Sequence, residues 1–571
     1  MRSVKEEALS KLILLGEAYL RRALSEYLLH FHRERNHQGK GNVLLFPSNR
    51  NSVSSSDRSV DLSGVVPMLD ISRQFRYKRV RKQAPVMARR FCMTKIVFDV
   101  PEEFRGLVET WRETLDSMKA TLDRTGGGKA VDYAEIERET SEKCRKSERE
   151  THRAILQALD IDVPTVVIGG IRYNRVGRCE APYHTMAGSV SIERSLYRRV
   201  GTRGGQPEAK VVDSVSLRTG ALGDGWLPHT ARVMSHEVQK GTSREAEATA
   251  REYGLLPYSR SSFETVAHLV GVLAVADHQD IEDALIDAYV VPEEARSVSV
   301  SLDRVSVPIE EPRDRPVGRP RKGAPKKPVA RNFRMAYCGT VSVHDENGEA
   351  LHTIRYGAMP DGDVIGLRDR LVNDVVTLLS KRREMKLQLL CDGAPEMWNL
   401  LEEGFTEDRF GGEVHRLVDL YHLTEKLGAA ARVIDESNAS ALLRGWKMAL
   451  LNRSTAAKDI LGELIASGMD EGPGEGHPVH AAITYLQSHY ENADRMNYAR
   501  ARRIGLPLGS GNVEATCKSL FEMRLKRCGA RWKNETGQHI VQLRSLALSD
   551  RWGPAVELTL RPLRQAVRVA A

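Results

Sequence analysis

No stretch of the 571-residue sequence approaches the roughly 20 consecutive apolar residues that cross a bilayer. The longest candidate, Val266 to Ala276, is interrupted by His268 and suits a buried helix. A secretory leader is lacking too, because the apolar run Leu12 to Leu15 is short and ends in Gly16-Glu17. Cysteines are few and scattered, seven in all at 92, 144, 179, 338, 391, 517 and 528, with no Cys-x-x-Cys pair. That excludes a zinc ribbon and a disulfide framework, and fits reduced thiols in a cytoplasmic, nucleoid-associated protein with no membrane partner. The length allows more than one core.

What is present is positive charge in clusters. Lys and Arg number 85 against 76 acids, a net charge of +9 whose distribution matters more than its sum. Arg73, Arg76, Lys78, Arg79, Arg81, Lys82, Arg89 and Arg90 form one cluster, and residues 313–334 hold a second. Both suit phosphate contacts; a solvated linker is the alternative for each.

Residues 48–61 are poor in apolar side chains and, with the basic run after them, make 51–92 a linker. A fresh apolar pattern begins beside Met93. Residues 93–160 read as a charged helical region interrupted at Gly126, and 161–225 as a small β region of short alternating runs between Gly-rich turns. In 226–292, Ser243 to Tyr253 and Ser259 to Val270 flank a Gly254 turn with helix-turn-helix spacing, Ala246, Ala250, Phe263, Val266 and Leu269 facing inward. The spacing fits DNA recognition and equally any helical hairpin with a glycine turn.

Three carboxylates then stand out. Asp303 lies inside the alternating run Val298, Val300, Leu302, Val305, Val307, Ile309, as in a central strand covered on both faces. A charged carboxylate in so apolar a run needs a partner such as a metal or a hydrogen-bonded edge. Asp392 follows the strand-like Leu387, Leu389, Cys391 at a Gly-Ala-Pro turn, where strand-end ligands belong. Glu514 sits in the first turn of a helix entered through Gly505 to Gly511, and Lys518, Arg524, Lys526, Arg527 and Arg531 follow it. Between the first two acids, Gly318-Arg-Pro-Arg-Lys in a Pro-rich stretch resembles an AT-hook that lays Arg319 and Arg321 in a narrow minor groove; a flexible loop is the alternative.

Gly509-Ser-Gly-Asn-Val-Glu514-Ala-Thr-Cys-Lys518, Arg524-Leu-Lys-Arg with Arg531-Trp532, Cys391-Asp392-Gly-Ala-Pro-Glu-Met-Trp398, and Asp419-Leu-Tyr-His422 together resemble the ISKra-type insertion-sequence transposases, over about residues 93–552. Arg304 departs from the Gly usual there. The resemblance implies an α/β fold: a ribonuclease H-like core in two parts, 293–435 and 504–552, split by a helical insertion at 436–503, preceded by helical and small β DNA-binding regions and followed by a tail at 553–571. It implies a DDE transposase with Asp303, Asp392 and Glu514 as catalytic metal ligands, Asp419 and His422 in support, and Arg319, Arg321, Lys518, Arg524, Lys526, Arg527 and Arg531 on DNA. Arg2-Ser-Val-Lys-Glu-Glu, Gly16-Glu-Ala-Tyr-Leu-Arg-Arg-Ala-Leu-Ser-Glu-Tyr-Leu and Phe31-His-Arg-Glu-Arg-Asn-His-Gln-Gly, within about residues 1–47, resemble something else, the last helix and tail of a retroviral-integrase-like transposase core without its sheet; a relic at 1–50 fused in frame and a simple docking helix both account for it.

Three carboxylates suit two Mg²⁺ ions, or Mn²⁺ in their place, held roughly 3.5–4 Å apart to stabilise the attacking and leaving oxygens of a phosphoryl displacement. The expected activity is hydrolysis at transposon ends, then transfer of the freed 3′-hydroxyl into target DNA, by a homodimer or higher oligomer. The competing readings are a catalytically inactive DNA-binding remnant of such an enzyme, and a stand-alone nuclease on the same fold.

Overall fold

The computed structural model describes residues 99–125, 130–202, 210–311, 330–468 and 476–570. The readings of 1–50 and 51–92, the start at Met93, and Arg319 and Arg321 lie outside these residues.

Helices α1 (Arg105–Arg124) and α2 (Tyr133–Ala158) form an antiparallel pair. The side chain of Asp132 caps α2, accepting from the Glu135 amide, and Thr114 meets Ser147 across the pair at 2.7 Å. Strands β1 (Thr165–Ile168), β2 (Ile171–Thr185), β3 (Gly188–Arg199) and β4 (Val212–Asp213) make the expected antiparallel sheet, and its fifth strand, β10 (Val567–Val569), comes from the far end of the chain to pair with β1. The segment expected as a tail is thus an integral strand, preceded by a helix. In this sheet His184 bonds Ser189 and stacks on Trp226.

A helical unit follows, of α3 (Pro228–Lys240), α4 (Ser243–Tyr253), α5 (Arg260–Ala276) and α6 (His278–Ala288). A capping box between Thr242 and Glu245 starts α4, and Gly254 in the left-handed region ends it. The second helix of the helix-turn-helix pattern, α5, is the buried centre of this unit, with Phe263, Val266, Ala267 and Val270 sealed from solvent. Two later helices, α14 (Asn534–Leu548) and α15 (Trp552–Leu560), join the same core. Helix α14 comes so close to α5 that a methyl group on Gly271 would lie 2.5 Å from Cβ and 3.1 Å from Cα of His539. Gly271→Ala is therefore expected to lower stability by about 1–3 kcal/mol despite alanine's better helix propensity; a denaturation midpoint at or above wild type would show that the helices can part without cost.

The second sheet has the order β7-β6-β5-β8-β9. Strands β5 (Ser297–Glu311), β6 (Ala330–His344) and β7 (Ala350–Ala358) are antiparallel, with a turn at Asn347-Gly348 where Gly348 has φ +78°. Strands β8 (Lys386–Cys391) and β9 (Val414–Val418) run parallel to β5, reached through α7 (Val364–Lys381) and α8 (Pro395–Gly404). This mixed α/β arrangement is compatible with a ribonuclease H-like fold. After β9 come α9 (Leu420–Ile434), then the expected insertion as α10 (Ala439–Asn452), α11 (Ala456–Ala466) and α12 (Pro478–Leu486), the last running on as a wide π turn over Gln487–Glu491. Helix α13 (Gly511–Thr516) continues through a second π turn, Cys517–Glu522, to Leu525, and lays Val513, Leu520, Phe521 and Leu525 on Val305, Val307 and Ala336.

A buried polar network links helical unit and core. Glu282 of α6 accepts from Gln542 and pairs with Arg370, while the Tyr356 hydroxyl donates to Asp374 at 2.7 Å and receives Arg551. Burial pushes the Asp374 carboxyl up to about 7, against the opposing Arg551 charge. Its folded pKa lies above the ordinary 3.8, so its stabilising contribution is complete below about pH 4 and lost as pH rises toward 7. Asp374→Asn keeps an oxygen for Tyr356 and is expected to flatten this loss, raising stability near pH 8 relative to wild type. Parallel pH-stability curves for the two proteins would refute the assignment.

Candidate active site

Register places the acids. Ser297 pairs with Lys386 and Leu387 with Val414, offsets of 89 and 27 residues. Asp303 and Asp392 are also 89 apart, and Asp392 and Asp419 also 27. Asp392 and Asp419 lie one residue past the last β8–β9 pair, Cys391↔Val418, and Asp303 lies on β5 three residues past its last pair with β8, Val300↔Leu389, so the three acids sit at the same end of the sheet. The Cys391 thiol donating to Leu302 O at 2.9 Å and the Asp419 amide donating to Cys391 O at 2.9 Å carry the alignment to the strand ends.

Asp303 Oδ2 accepts from the Cys517 thiol at 3.2 Å, which docks α13 on β5, one turn beyond Glu514. Arg304, on the opposite face, is drawn away into an ion pair with Glu396, whose other oxygen accepts from the Tyr337 hydroxyl at 2.7 Å. The departure from glycine there leaves the cleft face clear. Asp392 is fixed by its own turn: Oδ1 accepts from the Ala394 amide at 2.9 Å and its carbonyl from Trp398 Nε1 at 2.8 Å. Trp398 is wholly buried and serves as core.

Asp419 is 1 % exposed and saturated. It caps α9 by accepting from the His422 amide at 2.9 Å, and its second oxygen accepts from both the amide and hydroxyl of Ser510 in the turn that starts α13. Burial alone would raise its pKa; the neighbouring His422 imidazole first, then these donors, outweigh burial and hold it below the ordinary value. His422 Nδ1 stands 3.5 Å from Asp419 and 3.5 Å from Glu514, ion-pair rather than hydrogen-bond distances. Asp419 chiefly, with Glu514 and Asp392 behind it, pushes the imidazole up to about 9 despite burial, so it is a cation at neutral pH. Glu514 is raised by burial and by the Asp419 and Asp303 charges, with His422 opposing. Ligand atoms of Asp419, His422 and Glu514 lie within 4.8 Å of one another.

Sequence reasoning expects the helical insertion to grip DNA or brace the cleft, and it reaches this site through two rings that reasoning did not single out, Tyr485 and His489. A methyl group on Gly393 would fall 2.2 Å from Tyr485 Cε2 and 2.9 Å from His489 Nε2, so the residue after Asp392 is covered by both rings. Lys426 sits 4.9 Å above the Tyr485 ring, and Arg495 4.1 Å above Trp398. Burial lowers His489 to about 4, leaving it neutral. The signal was the helical spacing of Tyr485 and His489.

The cationic stretch after Glu514 divides. Lys518 and Arg531 are exposed. Lys526 pairs with Glu522, and Arg527 with Glu245 of the α4 capping box. Arg524, expected on DNA, is instead 6 % exposed: its Nε donates to Val238 O at the end of α3 and its guanidinium lies over Trp532. Spacing alone could not tell a surface arginine from one that caps a neighbouring helix.

No family model matches the chain, and no curated protein does. Among solved structures, the Drosophila P element transposase strand transfer complex aligns with 59% of this chain and 82% of that one, at 10% identity and a TM-score of 0.22. At that score the likeness is loose. No helix among the described residues is long and apolar enough to cross a membrane.

Proposed function

We infer that the chain is a DDE transposase of a bacterial insertion sequence, which cuts DNA at the ends of its element and joins the freed 3′-hydroxyl to target DNA. The observation that supports this reading is the bond from the Cys517 thiol to Asp303 Oδ2, which docks the helix carrying Glu514 on β5, the strand whose parallel neighbour β8 ends just before Asp392.

The donors suit a hard divalent cation. Asp303, Asp392 and Glu514 offer carboxylate oxygens, while Asp419 is committed to Ser510 and to the cap of α9. Mg²⁺ held by the first three would polarise the scissile phosphate and favour ionisation of the attacking oxygen. The chain's own parts orient and shield: the Trp398 and Ala394 bonds fix the Asp392 turn, Ser510 and Asp419 fix the start of the Glu514 helix, and the His422 cation offsets part of the crowded negative charge. Exposed Lys518 and Arg531 are placed for phosphates of the bound strand.

The test is a labelled duplex ending in the inverted repeats that flank the gene, incubated with full-length protein and Mg²⁺. Nicking at the repeat boundary followed by joining to a second duplex supports transposition. Nicking without joining would indicate a nuclease, and DNA binding without either the inactive remnant.

A further inference from the structure

Strands β5 and β6 run on together beyond the sheet. Strand β5 pairs with β8 from Ser297 to Val300, and pairing of β6 with β7 begins at Tyr337. From Val305↔Ala336 to Glu311↔Ala330 the two strands therefore run on past β7 and β8 as a ribbon seven pairs long and roughly 23 Å in reach, rooted beside Asp303, with Trp532 bonded to the β5 edge at Pro308 and Glu310. Its inner face, Val305, Val307, Ile309 and Ala336, is packed under α13.

The outer face is different. Cross-strand partners put Arg304, Tyr337, Met335, Phe333 and Arg331 along it. Phe333 is 59% and Met335 38% exposed, and the Arg331 guanidinium lies 5.1 Å from the Phe333 ring centroid. The acids on this face are Glu396, engaged by Arg304 and Tyr337, and Glu310, opposite Arg331. The strands leave the described residues at Glu311 and re-enter at Ala330, and the intervening sequence carries seven Lys or Arg against one Asp.

An exposed aromatic ring topped by a guanidinium, on a ribbon running from an acid cluster to a strongly basic segment, matches what single-stranded nucleic acid uses: a π-face for a base and positive charge for its backbone. Paired bases are stacked on one another and present only edges, whereas an unpaired base presents a face. A protein partner would call for a wider apolar patch than two side chains flanked by arginines. Phe333 lies five residues of ribbon from the Asp303 pair, roughly 16 Å, a few nucleotides of backbone.

We propose that the outer face of this ribbon docks an unpaired DNA strand leading from the active site, one base stacking on Phe333 beside Arg331. The proposal rests on the reading of the chain as a DNA-cutting enzyme. Stacking tolerates any sequence, so the probe is a forked duplex with 2-aminopurine at successive positions of one unpaired arm, mixed with full-length protein in EDTA so that nothing is cut. Wild type is expected to change the fluorescence at one arm position. Phe333→Ala should abolish that change and weaken forked-DNA binding roughly tenfold, leave fully paired duplex within about twofold and leave the melting temperature unmoved, with Phe333→Trp restoring both signals. Equal binding of forked DNA by Phe333→Ala and wild type overturns the proposal while leaving the DNA-cutting reading intact. Equal weakening on forked and paired DNA also overturns it, pointing to a groove contact. If wild type binds neither DNA, the functional reading itself fails.

Discussion

Asp392→Ala is expected to abolish cutting of a labelled element end, by at least about a thousandfold, the scale seen when one member of a cooperating catalytic set is removed. Asp303→Ala and Glu514→Ala should do the same, and the double variants should lose little more, because the three act as a unit. The cause is local. Asp392 gives one oxygen to the Ala394 amide and keeps the other for the cleft, and its carbonyl, not its side chain, anchors Trp398. Removing the carboxylate therefore strips a ligand without loosening the turn, so affinity for end DNA and the thermal melt should stay near wild type. Substantial cutting in Mg²⁺ by Asp392→Ala would dismantle the assignment of the site.

Asp419→Ala should act differently, through the scaffold. Its carboxylate is buried and accepts three donors from two segments 91 residues apart, Asp419 to Ser510 being the span that the insertion fills. Truncation leaves the Ser510 amide and hydroxyl and the start of α9 without an acceptor, at a cost on the order of 3 kcal/mol or more. It also frees the turn that aims Glu514, so cutting and the melting temperature should fall together. Asp419→Asn, which retains one acceptor oxygen, should fall between. A variant that melts with wild type yet cannot cut would mean that Asp419 holds metal rather than the turn, and the ligand set would have to be redrawn around Asp419, His422 and Glu514.

Much of the core was legible in sequence because its signals are local. The apolar alternation around Asp303, the strand ending at Cys391 and the glycine turn before Glu514 each follow from neighbouring residues, and the insertion from helical spacing around Trp446 and Leu450, both of which are buried. What sequence left hidden is long-range. Nothing near Arg524 says that its guanidinium meets a carbonyl of residue 238. Nothing near Gly393 announces that rings almost a hundred residues later rest on it. The helix-turn-helix spacing describes a hairpin faithfully, yet cannot tell which helix faces outward; here the second is enclosed by α14, which arrives more than 250 residues later.

The pairing of β1 with β10 sets an order in time. Val567 follows Ile168 by roughly 400 residues, which at ~5–20 residues per second takes a ribosome on the order of twenty seconds to over a minute. Throughout that interval β1 has an open edge where its last neighbour belongs, and an open strand edge invites pairing with other chains. A chain lacking residues 567–569 would keep Asp303, Asp392 and Glu514 and still leave that edge bare. Loss of residues 567–569 is thus expected to show first in solubility rather than in chemistry.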